Sequence, residues 1–170
     1  MRYRSYMDLL QKPAERPDMS THLRASELFQ GLPEEAIDKL LNHGIPVSAY
    51  RGQTIIEEGD SAEEIYLIQS GAVKIQVESI TPLVEIGITK LHQGEIFGEM
   101  ALLGDTPRSA TVVAIEPCDL VKIPSACVTE VVAANPEWRA ILMTNLANVL
   151  SKRLRAMNRR MMNYIRARYY

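Results

Sequence analysis

Between Ile45 and Ile123 the chain repeatedly reverses direction. Short segments with apolar residues at alternate positions are separated by Gly52, Gly59-Asp60, Ser70-Gly71 and Gly94. Side chains of a strand point alternately to its two faces, so this period reads as strands over 47–50, 54–57, 64–69, 72–78, 83–91, 110–115 and 120–123. Glycine supplies the turn conformations between them. Strands this short and this evenly spaced bury their apolar faces only by closing on one another. The expected fold is mostly β, an antiparallel, jelly-roll-like β-roll.

Helical periods flank the strands. Ser26 caps a turn through Leu28 and Phe29, and Pro33 then starts a helix through Leu41 with Ile37, Leu40 and Leu41 on one face. Asn42-His43-Gly44 ends it. After the last strand comes a helix over 125–134, and Pro136 starts another that runs to near the end. This last helix carries two apolar stripes. Trp138, Ile141, Leu142, Leu146 and Val149 suit packing on the roll. Met143, Ala147, Leu150, Leu154, Met157, Met161 and Tyr164 follow the steps of four and three that pair helices in coiled coils, with packing inside one chain as the alternative. Residues 1–19, with Pro13 and Pro17, have a mixed pattern and a short helical piece over 6–12. The expected organisation is an N-terminal extension over 1–25, a roll over 26–135 and a C-terminal helix over 136–170.

The length of 170 residues suits one domain with appendages. The net charge of −2 hides an asymmetry. Residues 152–170 hold seven basic side chains and no acidic one, which leaves 12 basic and 21 acidic, a net −9, in the rest. The body is acidic and the tail basic. Cys118 and Cys127 lack a C-x-x-C spacing, and His22, His43 and His92 are scattered. No metal site is expected, and both cysteines read as small core residues of a reduced compartment. Nucleophile-base pairs and Walker motifs are missing, so catalysis is not expected. With no apolar segment after Arg2 and Arg4 and no run of about 18 apolar residues, the expected location is the cytoplasm.

One stretch carries chemistry. From Phe97 to Val113 it reads Phe-Gly-Glu-Met-Ala-Leu-Leu-Gly-Asp-Thr-Pro-Arg-Ser-Ala-Thr-Val-Val. Gly98-Glu99 opens a helix-compatible run over 100–103, and a helix start offers unpaired N–H groups to an anion. Arg108 adds a planar fork that holds two phosphate oxygens at once. Ser109 adds a hydroxyl donor, and Glu99 accepts hydrogen bonds from a sugar hydroxyl. A carboxylate and a guanidinium nine residues apart across a Gly/Pro turn match a sugar phosphate or nucleotide.

The stretch resembles the phosphate-binding cassette of the cyclic-nucleotide-binding domain family, found in bacterial catabolite activators, kinase regulatory subunits and nucleotide-gated channels. The run Tyr66-Leu67-Ile68-Gln69-Ser70-Gly71-Ala72-Val73 is similar to the family as well, and the resemblance extends over about residues 28–158. It implies that Glu99 contacts the ribose 2′-hydroxyl and Arg108 the cyclic phosphate. Phe97, Gly98, Met100, Ala101, Pro107, Ser109 and Ala110 complete the cassette. Alignment with catabolite-activator-like proteins puts Ile75, Ile88 and Thr89 along the purine and brings Met157 and Asn158 of the last helix to the base. Asn158 stands where relatives have a hydroxyl residue; its amide both donates and accepts, as an adenine edge requires.

The resemblance implies a sensor module that binds cyclic AMP, with cyclic GMP as the alternative. A Thr after the Arg accompanies cyclic GMP preference in the family, and Ser109 stands there. A homodimer paired through the C-terminal helix is expected, with that helix as lid, acting on a downstream protein partner. The family's activators continue into a helix-turn-helix domain and this chain does not, so DNA binding is not expected. Two alternatives come from other classes: a nucleic-acid- or membrane-associated protein using the basic helix, and a ligand-free interaction domain of the same fold.

Overall fold

A computed structural model describes residues 19–77, 89–104 and 106–169. Helices α1 (Met19–Ala25) and α2 (Glu34–Asn42) precede eight strands. These are β1 (Ile45–Ala49), β2 (Thr54–Ile56), β3 (Glu64–Ser70), β4 (Ala72–Gln76), β5 (Thr89–His92), β6 (Ile96–Phe97), β7 (Thr111–Ala114) and β8 (Cys118–Pro124). A 3-10 helix (Glu99–Leu103) lies between β6 and β7, and α3 (Ser125–Ala133) and α4 (Pro136–Tyr169) close the chain. The strands form two antiparallel four-stranded sheets, ordered β1-β8-β3-β6 and β2-β7-β4-β5. This is the expected β-roll with flanking helices.

The layering follows from the period of two along β3, whose residues 65–69 are buried throughout. Ile65 and Leu67, with Val121 and Ile123 of β8, face the helices. There they meet Leu23 of α1, Ile37 and Leu40 of α2, Val128 of α3, and Trp138, Leu142 and Leu146 of α4. Tyr66 and Ile68 face the other way, into a core with Ile56, Val73, Phe97, Val112 and Leu120. One sheet is thus covered on both faces, by helices on one side and by the second sheet on the other. Gly71 makes the β3–β4 reversal possible: its φ is +83°, and a Cβ would sit 2.2 Å from the Pro117 carbonyl oxygen.

Several expectations shift by a residue or two, and some change. α1 has a single buried residue, Leu23, and so no apolar period for the sequence to reveal. Strand β6 is two residues long, too short to show alternation. Ser26 bonds back to the Leu23 carbonyl at 2.7 Å while its own carbonyl accepts from Phe29 and Gln30. Cys118 is buried, and burial pushes its thiol above the ordinary range, but Cys127 is only half-buried. Leu150 of the heptad stripe packs against the helical core instead of standing free. The helical piece over 6–12 and most of the strand over 83–91 lie outside the described residues.

The first apolar stripe of α4 does what its pattern implied. Trp138, Leu142 and Leu146 are buried, and below Leu150 the helix leaves the core. At 1.5 Å per residue its 34 residues span about 50 Å. A long arm therefore runs past the roll.

Candidate functional site

The cassette is positioned by pairing with β3. Phe97 lies opposite Tyr66, and their rings stack with centroids 5.0 Å apart and planes 3° from parallel. Gly98 follows at φ +75° and turns the chain from strand into the 3-10 helix. A Cβ there would sit 2.9 Å from Arg108 Nη1 and 3.0 Å from the Glu64 carbonyl oxygen. The glycine therefore both makes the turn and lets the arginine pass behind it. The expected helix start is this single 3-10 segment.

Arg108 is held from both ends. Its backbone N–H donates to the Asp60 carbonyl at 2.8 Å, and its carbonyl accepts from Gly59 at 2.9 Å. Its side chain, 6 % exposed, donates from Nη1 to the Glu64 carbonyl at 2.8 Å and from Nη2 to Glu64 Oε2 at 3.2 Å. Lys122 Nζ reaches the other Glu64 oxygen at 3.2 Å. One carboxylate thus serves two cations, which leaves positive charge beside the cavity for an anion to neutralise. The neighbouring Tyr66 phenol is pushed above its ordinary range, first by burial and then by Glu64.

Glu99 is 4 % exposed, and an unpaired carboxylate so buried is costly. Its partner comes from α4. Arg153 Nη1 lies 2.5 Å from Glu99 Oε2, and Arg153 Nη2 also donates to the Ile96 carbonyl. Glu99 and Arg108 line one cavity together with Phe97, Gly98, Met100, Ala101, Pro107, Ser109, Ala110, Ile75 and Arg153. Its volume is about 70 Å³, below the ~300 Å³ at which pockets for small molecules begin. A groove of about 490 Å³ lies next to it between α4 and the β5–β6 edge, and Glu99 and Arg153 line both.

A buried acid and a buried arginine on a Gly-hinged cassette, walled by strands of two sheets, constitute a site for a small ligand with a hydroxyl and an anionic group. Residues 46–135 match the cyclic nucleotide-binding domain family. This chain belongs to that family. The domain is similar to the "Cyclic AMP receptor protein" of Thermus thermophilus, 32% identical over 133 residues, which are 78% of this chain and 59% of the relative. It is also similar to the "Acetyltransferase Pat" of Mycolicibacterium smegmatis, 41% identical over 97 residues, 56% of this chain and 28% of that enzyme. Among solved structures the Thermus thermophilus catabolite activator protein superposes with a TM-score of 0.67 and 29% identity, covering 82% of this chain and 63% of that one. The chain thus spans less than two thirds of either curated relative. The matched family is one of binding domains; the acetyltransferase shows that enzymes also carry it.

Nine of the residues expected at the nucleotide site, Phe97 to Ala101 and Pro107 to Ala110, line this same cavity with Ile75. Ser109 Oγ donates to the Met100 sulfur at 3.3 Å. Thr89 pairs with Ile75 across the sheet yet lines the groove, and its hydroxyl accepts from Arg160 Nη1 of α4 at 2.5 Å. Ile88 lies outside the described residues. Asn158 is exposed and outside the cavity, as is Met157. The reason is helical geometry. Five residues separate Asn158 from Arg153, which at 100° per residue sets them about 140° apart around α4.

Arg153, Glu64 and Lys122 were not singled out by sequence reasoning. Arg153 counted only as one of seven basic tail residues, although its place on the opposite side from Asn158 was a usable signal. Glu64 and Lys122 had none, since each sits on a strand like any surface charge. Among the described residues no three His, Cys, Asp or Glu side chains group as metal ligands, and no helix is long and apolar enough to cross a membrane.

Proposed function

We propose that this chain is a cyclic-nucleotide sensor, binding cyclic AMP in the cavity of Glu99 and Arg108 and passing the event on through α4. The observation that carries the proposal is the burial of both charged residues in one cavity. Such groups are costly to bury without a function or a partner, and the partners they have here are ones a ligand can replace. The ribose hydroxyl takes over Glu99 from Arg153, and the phosphate shares Arg108 with Glu64. Similarity to the cyclic AMP receptor protein and Ser109 in place of Thr favour cyclic AMP over cyclic GMP. The protein acts without catalysis, as a regulatory part.

The cavity is too small for a nucleotide while Arg153 is docked, and the adjoining groove supplies the room once that ion pair opens. Binding and movement of α4 are then linked: a ligand that takes Glu99 favours the helix arrangement in which Arg153 has left it. Leu154, Met157 and Met161 are each more than half exposed along the heptad stripe of the arm. In a homodimer paired through α4, that stripe is covered and the helix movement is felt by the partner.

Isothermal titration of the purified chain with cyclic AMP and cyclic GMP tests the central claim. Micromolar or tighter binding of cyclic AMP is expected, and no binding of either rejects it. Removing residues 151–170 tests the role of the arm. The truncated protein is expected to sediment as a monomer and to bind cyclic AMP about fivefold more tightly, having lost the Arg153 that competes with the ligand for Glu99. A truncated protein that stays dimeric and binds with the affinity of the full chain shows that α4 does neither.

A further inference from the structure

We infer that Met100 is an oxidation site which switches the affinity of the nucleotide cavity, an inference that rests on the proposed cyclic-nucleotide function. Met100 is the second residue of the 3-10 helix, 39% exposed, and lines the cavity beside Arg108 and Ser109. Its sulfur accepts the Ser109 hydroxyl proton at 3.3 Å. Ser109 follows the residue that grips the phosphate, so this hydroxyl is the neutral donor next to the anion. It has one proton to give. A thioether is a weak acceptor, so in the reduced protein the proton is released to a phosphate oxygen at little cost.

Oxidation reverses that preference. A hydroperoxide small enough to enter the cavity is attacked by a sulfur lone pair. An S–O bond forms as the O–O bond breaks, sulfur loses two electrons, and the displaced oxygen leaves with a proton as water or alcohol. The product is a sulfoxide, polar and chiral where the side chain was apolar. Its oxygen is a strong acceptor that keeps the Ser109 proton. It also carries partial negative charge into the space of the phosphate. Both effects weaken anion binding, while Arg108 and its Glu64 contacts stay in place. A bound nucleotide covers the sulfur and so slows its oxidation.

Among the described residues the other exposed methionines, Met143, Met157, Met161 and Met162, lie on α4 and not in the cavity. The experiment separates them from Met100 by comparing each protein with itself before and after hydrogen peroxide. Conversion of Met100 is followed by peptide mass spectrometry and cyclic AMP affinity by calorimetry. Oxidised wild type is expected to bind about fivefold more weakly, the size of one hydrogen bond. Methionine sulfoxide reductase is expected to restore it, and excess cyclic AMP to protect Met100 during treatment. The volume-conserving variant Met100→Leu is expected to keep its own affinity through the same treatment. Unchanged affinity with Met100 fully converted overturns the inference, as does an equal loss in Met100→Leu. Failure of the untreated protein to bind cyclic AMP or cyclic GMP overturns the underlying functional proposal and the inference with it.

Discussion

Arg108→Ala is expected to weaken cyclic AMP binding by thirtyfold or more. Truncating one member of a desolvated charge pair costs roughly 2 to 5 kcal/mol, because the phosphate is left in the cavity without its counter-charge. At about 1.4 kcal/mol per decade that is at least ~30-fold. The structure adds a second component. Arg108 also holds Glu64, which the variant leaves with Lys122 alone. Arg108→Lys keeps the charge but loses the two-pronged fork, so it cannot bond both the Glu64 carbonyl and an anion in the same plane, and an intermediate loss is expected. Thermal melting of each variant separates loss of binding from loss of fold. A folded Arg108→Ala protein with near-wild-type affinity excludes Arg108 as the phosphate ligand.

The second large effect is on the sugar. If Glu99 accepts a hydrogen bond from the 2′-hydroxyl, a bond to a charged acceptor contributes about 1.5 to 3 kcal/mol, and 2′-deoxy cyclic AMP is expected to bind roughly ten- to a hundredfold worse. In Glu99→Ala the two nucleotides are expected to bind nearly alike, because the group that tells them apart is gone. Arg153 makes the comparison sharper. In the unliganded protein it neutralises Glu99, so the 2′-hydroxyl competes with an ion pair, and Arg153→Ala removes the competitor while leaving the acceptor. Equal wild-type affinities for the ribose and deoxyribose ligands rule out the assignment, whatever the variants do.

Much of this site was legible in one dimension because the family's chemistry is packed into one segment. Phe97, Gly98, Glu99, Arg108 and Ser109 lie within thirteen residues, and a single turn brings acid and base to one cavity. Strand and helix types were equally legible where a segment has a buried face: β4, β7, β8, α2 and the first half of α4 show their period, and β3, buried on both faces over 65–69, shows as a short continuous apolar run. β6 and α1 do not, being too short or too sparsely buried for a period to accumulate.

The C-terminal helix shows where one dimension ends. From the pattern of α4 the roll-packing stripe and the heptad stripe could both be read, since each is a property of one helix. Which polar residue meets the cassette could not, for it depends on the rotation of α4 about its axis. That rotation is fixed by Trp138, Leu142 and Leu146 seating against α2, α3 and the first sheet. Alignment pointed to Asn158; packing turned Arg153 onto Glu99 and left Asn158 exposed. Glu64 is a similar case. It is 44 residues from Arg108 and meets it because the Gly59-Asp60 turn bonds to the backbone of Arg108. The sequence by itself determined the fold class, the cassette and the charges it contains. Only the tertiary structure decided which distant charges those residues hold, because a buried ion pair is set by how elements pack, and local patterns do not encode packing.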